Sequence, residues 1–349
     1  MRIGLVCPYD LGSPGGVQQI TGELADHLRL LGDEVVSVAA GKYAYDGGPG
    51  YDEGILPVGR PTRIRANEST VPLTLAPTAW WRVRDALEDV DVIHIHEPFI
   101  PLVGWAALTV DRPTVATFHA DAPGWVETLY RWIPLIGHRM RRAVLTAVSE
   151  SASEAIPGSW GQVHLVPNAL DVSSYDVPVG RIDRRVAFLG RDDPRKGLDV
   201  LLRAWPAIMK GVPDAELVVM GADRGLELQG VKFVGRVSGG EKRRLLATSG
   251  IFVAPNLGGE SFGIVVLEGM AAGCAVVASS LEPFTSVLGD AGLTFPVGDS
   301  ATLAEEVVGL LLDPERTRRL GDRARQHSRR FDWAKVVTQY RALYETALT

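Results

Sequence analysis

Apolar positions in this chain fall into short dense runs and longer helical stripes that alternate along its length. "RIGLVCP" (2–8) is short and almost wholly apolar, as a strand covered on both faces should be. Behind it, "GGVQQITGELADHLRLLG" (15–32) spaces Val17, Ile20, Leu24, Leu28 and Leu31 three and four apart and ends on glycine, which reads as a helix with its stop signal. "EVVSVAA" (34–40), "DVIHIH" (91–96), "TVATFH" (114–119) and "AVLTAVS" (143–149) follow as strands. A polar, turn-rich stretch, "NALDVSSYDVPVGRIDRR" (168–185), reads as a linker, after which the pattern restarts. The second series is strand 185–191, helix 196–211, strands 215–221 and 231–237, helix 240–250, and strands 251–256 and 274–279. Helices "LAEEVVGLLLD" and "WAKVVTQYRALYETAL" close the chain.

This alternation predicts an α/β protein of two Rossmann-like, doubly wound domains facing a cleft. The expected boundaries are 1–170 and 171–330, with a C-terminal helix in 331–349 packing back on the N-terminal domain. Ligands are then expected where strands end at their carboxyl side.

Length and composition sharpen this picture only a little. The 349 residues suit two domains, and 46% hydrophobic with 22% charged residues lets each half build a core. A net charge of -6 argues against a general nucleic-acid binder. Cys7 and Cys274 each lie in an apolar run, which points to buried free thiols and a reducing compartment. The chain starts directly on a strand pattern, and no run reaches the ~18 apolar residues of a membrane span. A cytoplasmic protein is expected, peripheral at the inner face of the membrane where it meets lipid at all.

The candidate chemistry sits at predicted strand ends. In "PYDLGSPGGVQQ" (8–19), Gly15 and Gly16 allow close backbone approach, and the following helix N-terminus favours a phosphate. The loop is neither G-x-G-x-x-G nor a P-loop, and a ligand-free tight turn reads it equally well. In "FLGRDDPRKG" (188–197), Arg191 offers a planar fork and Lys196 a point charge, a pair suited to a diphosphate. Two solvated charges beside Asp192 and Asp193 are the alternative. His119 ends a strand; His94 and His96 share a strand face, where one of them reads as a packed core histidine. Asp89 and Asp91 form a D-x-D at the strand-entry edge and read as a turn, and no cluster has zinc spacing.

"GGESFGIVVLEGMAAG" (258–273) carries most of the information. Helix initiation near Ser261 would leave Glu260 in the loop and Glu268 about two turns in. The amides of Phe262, Gly263 and Ile264 would then be orphan donors suited to phosphate. Carboxylates repel phosphate but accept well from vicinal hydroxyls. One on each side of a diphosphate suggests a sugar at one end and a ribose at the other. Glu268 interrupts an apolar helix, and a ribose diol would satisfy it there.

These residues together resemble the family-4 retaining glycosyltransferases, which have the GT-B fold. "PGGVQ", "HIHEP", "TFH", "VPNALD", "GRDDPRKG", "GGESFGIVVLEGMAAG" with its E-x7-E spacing, and the closing "FDW" run in the family's order through essentially the whole chain. Within the family, "RIGLVCPY", "ATFH" and "GGESFGIV" are most similar to the actinobacterial phosphatidylinositol mannosyltransferases. The resemblance implies that Arg191 and Lys196 neutralise the departing diphosphate and that Gly16 and the amides of Ser261, Phe262, Gly263 and Ile264 contact its phosphates. It implies Glu268 on the ribose, Arg236 and Val237 by the base, Glu260 on the sugar and His119 beside it. Tyr9, Gln18 and Asn67 become candidate acceptor contacts. The favoured donor is GDP-mannose, with no tightly bound cofactor and no metal ligand identified, and the favoured acceptor is phosphatidylinositol or a related glycolipid. A UDP-sugar donor, a soluble acceptor, or a non-catalytic sugar-nucleotide-binding protein are the alternatives. The chain departs from the look-alikes on the acceptor side at Phe99, Ala120 and Gly124, and near the base at Ser238 and Gly239. Trp80 and Trp81 with Arg82 and Arg84, and Trp132 with Arg131, Arg139, Arg141 and Arg142, suit an anionic lipid surface or, equally, a helix with a solvated basic side.

Overall fold

The apolar runs become parallel strands in a computed structural model that describes residues 1–13, 15–41, 55–66, 69–119, 134–154 and 156–349. Two units result: Met1–Ala169 with Trp333–Thr349, and Leu170–Asp332.

The first unit holds β1 (Arg2–Asp10), β2 (Glu34–Ala40), β3 (Ile55–Pro57), β4 (Pro61–Ala66), β5 (Ser69–Thr74), β6 (Val92–His96), β7 (Thr114–Phe118), β8 (Val144–Ala147) and β9 (Val163–Leu165). The sheet order is β3-β2-β1-β6-β7-β8-β9, with β4 and β5 as an antiparallel ribbon touching β1. Helices α1 (Gly16–Leu30), α2 (Thr78–Ala86), α3 (Val103–Leu108), α4 (Pro134–Met140) and α5 (Glu150–Glu154) connect the strands. Strand order reverses between β1 and β6, so Tyr9 and Asp10 end beside His96 and Glu97. Asp91, in the turn before β6, accepts from the Arg2 amide at 2.7 Å and ties the strand entry to β1.

The second unit holds β10 (Ile182–Leu189), β11 (Glu216–Met220), β12 (Val231–Gly235), β13 (Ser249–Ala254), β14 (Ala275–Ser279) and β15 (Leu293–Phe295), all parallel, in the order β12-β11-β10-β13-β14-β15. Its helices are α6 (Leu198–Gly211), α7 (Gly239–Ala247), α8 (Ile264–Ala271), α9 (Glu282–Leu288), α10 (Ser300–Leu312) and α11 (Pro314–Ser328). Every residue of β13 and β14 is buried, because helices cover both faces of the sheet. The reversal here lies between β10 and β13, which brings Gly190 and Arg191 beside the segment that follows Ala254.

Two sequence expectations are corrected. Residues 168–185 are not a plain linker: a 3-10 turn occupies Val172–Tyr175, and β10 begins at Ile182. The first half of that strand is largely exposed, so it carries no apolar run to announce it. The helix in the E-x7-E segment begins at Ile264 rather than near Ser261. Gly263 is the cause. Its backbone is left-handed, at φ 99° and ψ 45°, and cannot belong to the helix. A Cβ there would also lie 2.7 Å from the Phe284 ring.

The last helix, α12 (Trp333–Leu348), belongs to the first unit. It buries Trp333, Val336, Val337, Tyr340 and Tyr344 on one stripe. Trp333 donates to Glu23 at 2.7 Å and stacks on His27, both on α1.

Candidate functional site

In the second unit, the site is built on the two strand ends at the reversal point. After β10 the chain makes a 3-10 turn, Pro194–Lys196, capped by the Asp193 carboxylate on the Arg195 amide at 3.0 Å. The Arg195 guanidinium also pairs with Asp193 at 2.7 Å, holding that carboxyl down at about 2. The Arg195 carbonyl accepts the Leu257 amide at 2.7 Å, which fastens the turn to the segment following β13. Lys196 is thereby brought to Glu260, and the two form an ion pair. Asn256 donates to the same Glu260 oxygen, Oε1, at 2.7 Å. Arg191 is exposed, with its side chain in no ion pair among the described residues.

Glu268 is 3% exposed on α8. It lies little more than one turn into the helix, not two. Its burial was expected to need a ribose diol. The protein itself supplies partners: Tyr175 donates its hydroxyl to Oε1 at 2.7 Å, and Lys242 on α7 pairs with that same oxygen. Each carboxylate of the E-x7-E pair is thus gripped on one oxygen by a lysine and a neutral donor. Their Oε2 atoms make none of these bonds.

The amides expected to face a phosphate are redistributed by the later helix start. Ile264 and Val265 are the orphan donors of α8, since the Val266 amide already bonds the Gly263 carbonyl at 2.9 Å. Ser261 and Phe262 lie in the loop ahead, where Phe262 is buried edge-on against Phe331. Arg236 is exposed and Val237 half-buried just after β12. Ser238 caps α7 through the Glu241 amide, at 3.2 Å.

In the first unit, α1 begins at Gly16, with Gly15 as an extended N-cap and no acidic residue in its first turn. Gln18 is buried against this turn; a Cβ on Gly15 would meet its amide at 2.2 Å. Tyr9 sits at the end of β1, and burial together with the Glu97 carboxylate pushes its phenol well above the usual value. Asn67, Ala120, Gly124, Arg131 and Trp132 lie outside the described residues. Phe99 is buried and packs edge-on against Phe118 and Trp160.

Three histidines line up beneath this surface. His94 is the packed core one: Nδ1 meets the Tyr344 hydroxyl at 2.8 Å and Nε2 the Thr117 hydroxyl at 2.6 Å. His96 Nδ1 meets His119 Nε2 at 2.7 Å. The His119 amide donates to Glu97 Oε1 at 2.8 Å. Burial lowers His94 to about 3 and His119 to about 4, the latter partly offset by the Asn168 side chain, and drives His96 well down too. All three are neutral near pH 7. Since each is depressed from an unfolded value of 6.5, the unfolded chain takes up protons that the folded one refuses. Stability is therefore full above about pH 6.5 and falls as the pH drops toward 4, with a slope of about 1.4 kcal/mol per pH unit for each histidine still neutral in the fold. Urea unfolding between these limits checks this; a flat profile would refute it. Burial pushes both cysteine thiols up to about 12, so neither is a ready nucleophile.

Asn256, Lys242, Tyr175 and Glu97 were not singled out by the sequence. Asn256 and Glu97 could have been, since Asn256 ends one predicted strand and Glu97 follows another, both at the ligand-binding end. Lys242 and Tyr175 gave no such signal. Among the described residues, no cluster of three or more His, Cys, Asp or Glu could hold a metal, and no helix is long and apolar enough to cross a membrane.

Comparison with known proteins identifies the family. Residues 14–174 match the family model described as Glycosyltransferase Family 4, and residues 183–313 that described as Glycosyl transferases group 1. The chain is 37% identical to the phosphatidyl-myo-inositol mannosyltransferase of Mycolicibacterium smegmatis, over 99% of this chain and 94% of that protein. It is 34% identical to the Mycobacterium leprae protein of the same name, over 100% of this chain and 98% of that one. In fold it is similar to Anabaena Alr3699/HepE, solved with UDP and glucose, at a TM-score of 0.77 and 20% identity over 99% of this chain and all of that one. The chain belongs to the family-4 glycosyltransferases, in the group that includes the phosphatidyl-myo-inositol mannosyltransferases.

Proposed function

We propose that this glycosyltransferase moves mannose from GDP-mannose to a hydroxyl of a phosphatidylinositol-type lipid, retaining the anomeric configuration. The observation that carries this reading is the matched pair of carboxylates, each held on Oε1 with Oε2 outside those bonds. A carboxylate fixed on one oxygen is a ready acceptor for the two hydroxyls of a diol. Glu268 then takes the ribose and Glu260 the sugar. Lys196, Arg191 and the first amides of α8 lie toward the diphosphate between them, where leaving-group charge develops. Lys196 has three donors, and Glu260 uses one of them. Attack comes from the leaving-group face, with a diphosphate oxygen taking the acceptor proton. Gly16 is assigned to the phosphates, His119 to the sugar, and Tyr9, Gln18 and Asn67 to the acceptor. Arg236 and Val237 flank the base.

The lipid acceptor draws support from the names of the full-length relatives and from α2, where Trp81 is 71% exposed beside Arg82 and Arg84. A UDP-sugar donor is the second reading, favoured by the absence of any carboxylate from Arg236 to Gly240. The test is a thermal-shift screen with GDP-mannose, UDP-glucose and UDP-GlcNAc. It is followed by transfer of labelled sugar to phosphatidylinositol vesicles or to soluble myo-inositol phosphate. A shift with GDP-mannose alone and label in the lipid is the expected result. Binding without transfer would make the chain a sugar-nucleotide-binding protein, and no binding at all would end the proposal.

A further inference from the structure

Two neighbours at the end of β6 hold one residue at the end of β7. The strand ends at His96, whose Nδ1 lies 2.7 Å from His119 Nε2. The next residue, Glu97, keeps to the ladder with its own amide, which donates to the Thr117 carbonyl at 2.9 Å. Its backbone then turns left-handed, at φ 51°, and its carboxylate comes back to accept the His119 amide at 2.8 Å. His119 is thus fixed at both its ring and its main chain. The arrangement has two local costs. Glu97 adopts a conformation that non-glycine residues rarely take. His96 Nε2 is fully buried with no hydrogen-bond partner among the described residues. Such costs persist where the surrounding structure enforces them, and they cluster at functional sites.

We infer that His96 and Glu97 are positioning residues for His119, presenting its imidazole in one orientation and one tautomer at the carboxyl end of the sheet. A bond between two neutral imidazoles requires one nitrogen to donate and the other to accept, which couples the two tautomers. A proton on the unpartnered His96 Nε2 would be a buried unsatisfied donor, so His96 Nδ1 donates and His119 Nε2 accepts. Burial keeps both rings neutral, so protonation does not break the bond near neutral pH. The inference rests on the reading in which His119 stands beside the transferred sugar.

The test compares amide replacements of one histidine nitrogen at a time. Asn at position 96 can place its side-chain amide where Nδ1 sits, and Gln where Nε2 sits. Transfer of labelled mannose from GDP-mannose to phosphatidylinositol is measured for full-length His96→Asn, His96→Gln, Glu97→Ala, His119→Ala and the double variant His96→Gln/His119→Ala. His96→Asn keeps kcat within about threefold. His96→Gln and Glu97→Ala lose about 10- to 100-fold, as misplacement of a site group does. His96→Gln adds nothing to His119→Ala. A role in packing alone would treat Asn and Gln alike. Equal activity of those two variants, or additive losses, overturns the clamp while leaving the role of His119 intact. A fully active His119→Ala overturns both. A second measurement needs no variant: long-range proton–nitrogen spectra of the wild-type chain show His119 as a single neutral tautomer from about pH 5 to 8. A tautomer mixture, or titration within that range, overturns the inference as well.

Discussion

Lys196→Ala lowers kcat for sugar transfer by about 100- to 1000-fold, the loss typical of removing one fixed group aimed at developing charge. The expectation follows from where the lysine is held. The capped 3-10 turn and the bond between the Arg195 carbonyl and the Leu257 amide fix the backbone on both sides of the strand reversal. Lys196 therefore arrives beside Glu260 already oriented, and little reorganisation is left for the reaction step. The side chain is 21% exposed and its carboxylate partner 13% exposed, so the pair is mostly buried, and removing the lysine leaves a poorly solvated carboxylate without its cation. Thermal unfolding of the variant should shift down as well, so turnover is compared at a temperature where both proteins are fully folded. Lys196→Arg restores only part of the rate, because a planar fork does not occupy the place of a compact ammonium. Glu260→Ala also abolishes transfer, and the double variant is no worse than the more damaged single one, as residues of one unit behave. Steady-state kcat and donor KM decide the matter. A loss of about threefold or less in kcat would mean that Lys196 serves Glu260 and not the leaving group.

The central parallel strands were readable in sequence where helices bury both their faces, as at β13 and β14, whereas the short parallel strands β3, β9 and β15 carry no such run and were not predicted. The ribbon of β4 and β5 left no such mark, since "PTRIRA" and "STVPLT" mix polar and apolar positions. Helix α11 was hidden for a different reason. Its buried positions are Thr317, Gly321, Ala324 and Ser328, small residues that give no apolar stripe. They allow backbones to meet closely: a Cβ on Gly321 would lie 2.1 Å from the Gly273 carbonyl. The site was legible to the same uneven degree. Arg191, Lys196, Glu260 and Glu268 carry charge at positions where strand-end logic expects ligands. Tyr175 and Lys242, the partners of Glu268, do not lie at such positions. Tyr175 comes from a polar segment with no apolar pattern, and only the folded chain brings it, 93 residues away in sequence, to Glu268. Periodicity reports what an element buries along its own length; it says nothing about which side chain from elsewhere completes a hydrogen bond.

Gly197→Ala is expected to damage stability and activity together, because this glycine is where the Lys196 turn touches β13's continuation. Its φ is 68°, and an added Cβ would sit 1.8 Å from the Pro255 carbonyl oxygen. Left-handed backbone alone costs an alanine about 1–2 kcal/mol. The contact adds to that, since its partner is main chain and cannot swing aside as a side chain would. Either the turn lifts away from Pro255, or Pro255 moves and carries Asn256 with it. The first displaces Lys196 and the second the donor to Glu260, so both routes loosen the same carboxylate. A total loss of about 2–4 kcal/mol in unfolding free energy is expected, with a fall in kcat of about 100-fold on top of it. Gly225→Ala separates the two causes. Gly225 has a similar φ of 60° but nothing within 4 Å of the added Cβ, so it should show the conformational cost alone and leave turnover unchanged. Urea midpoints of the two variants, measured beside their kcat values, test the argument. Equal destabilisation at both positions would show that close approach to Pro255 is not what Gly197 is for.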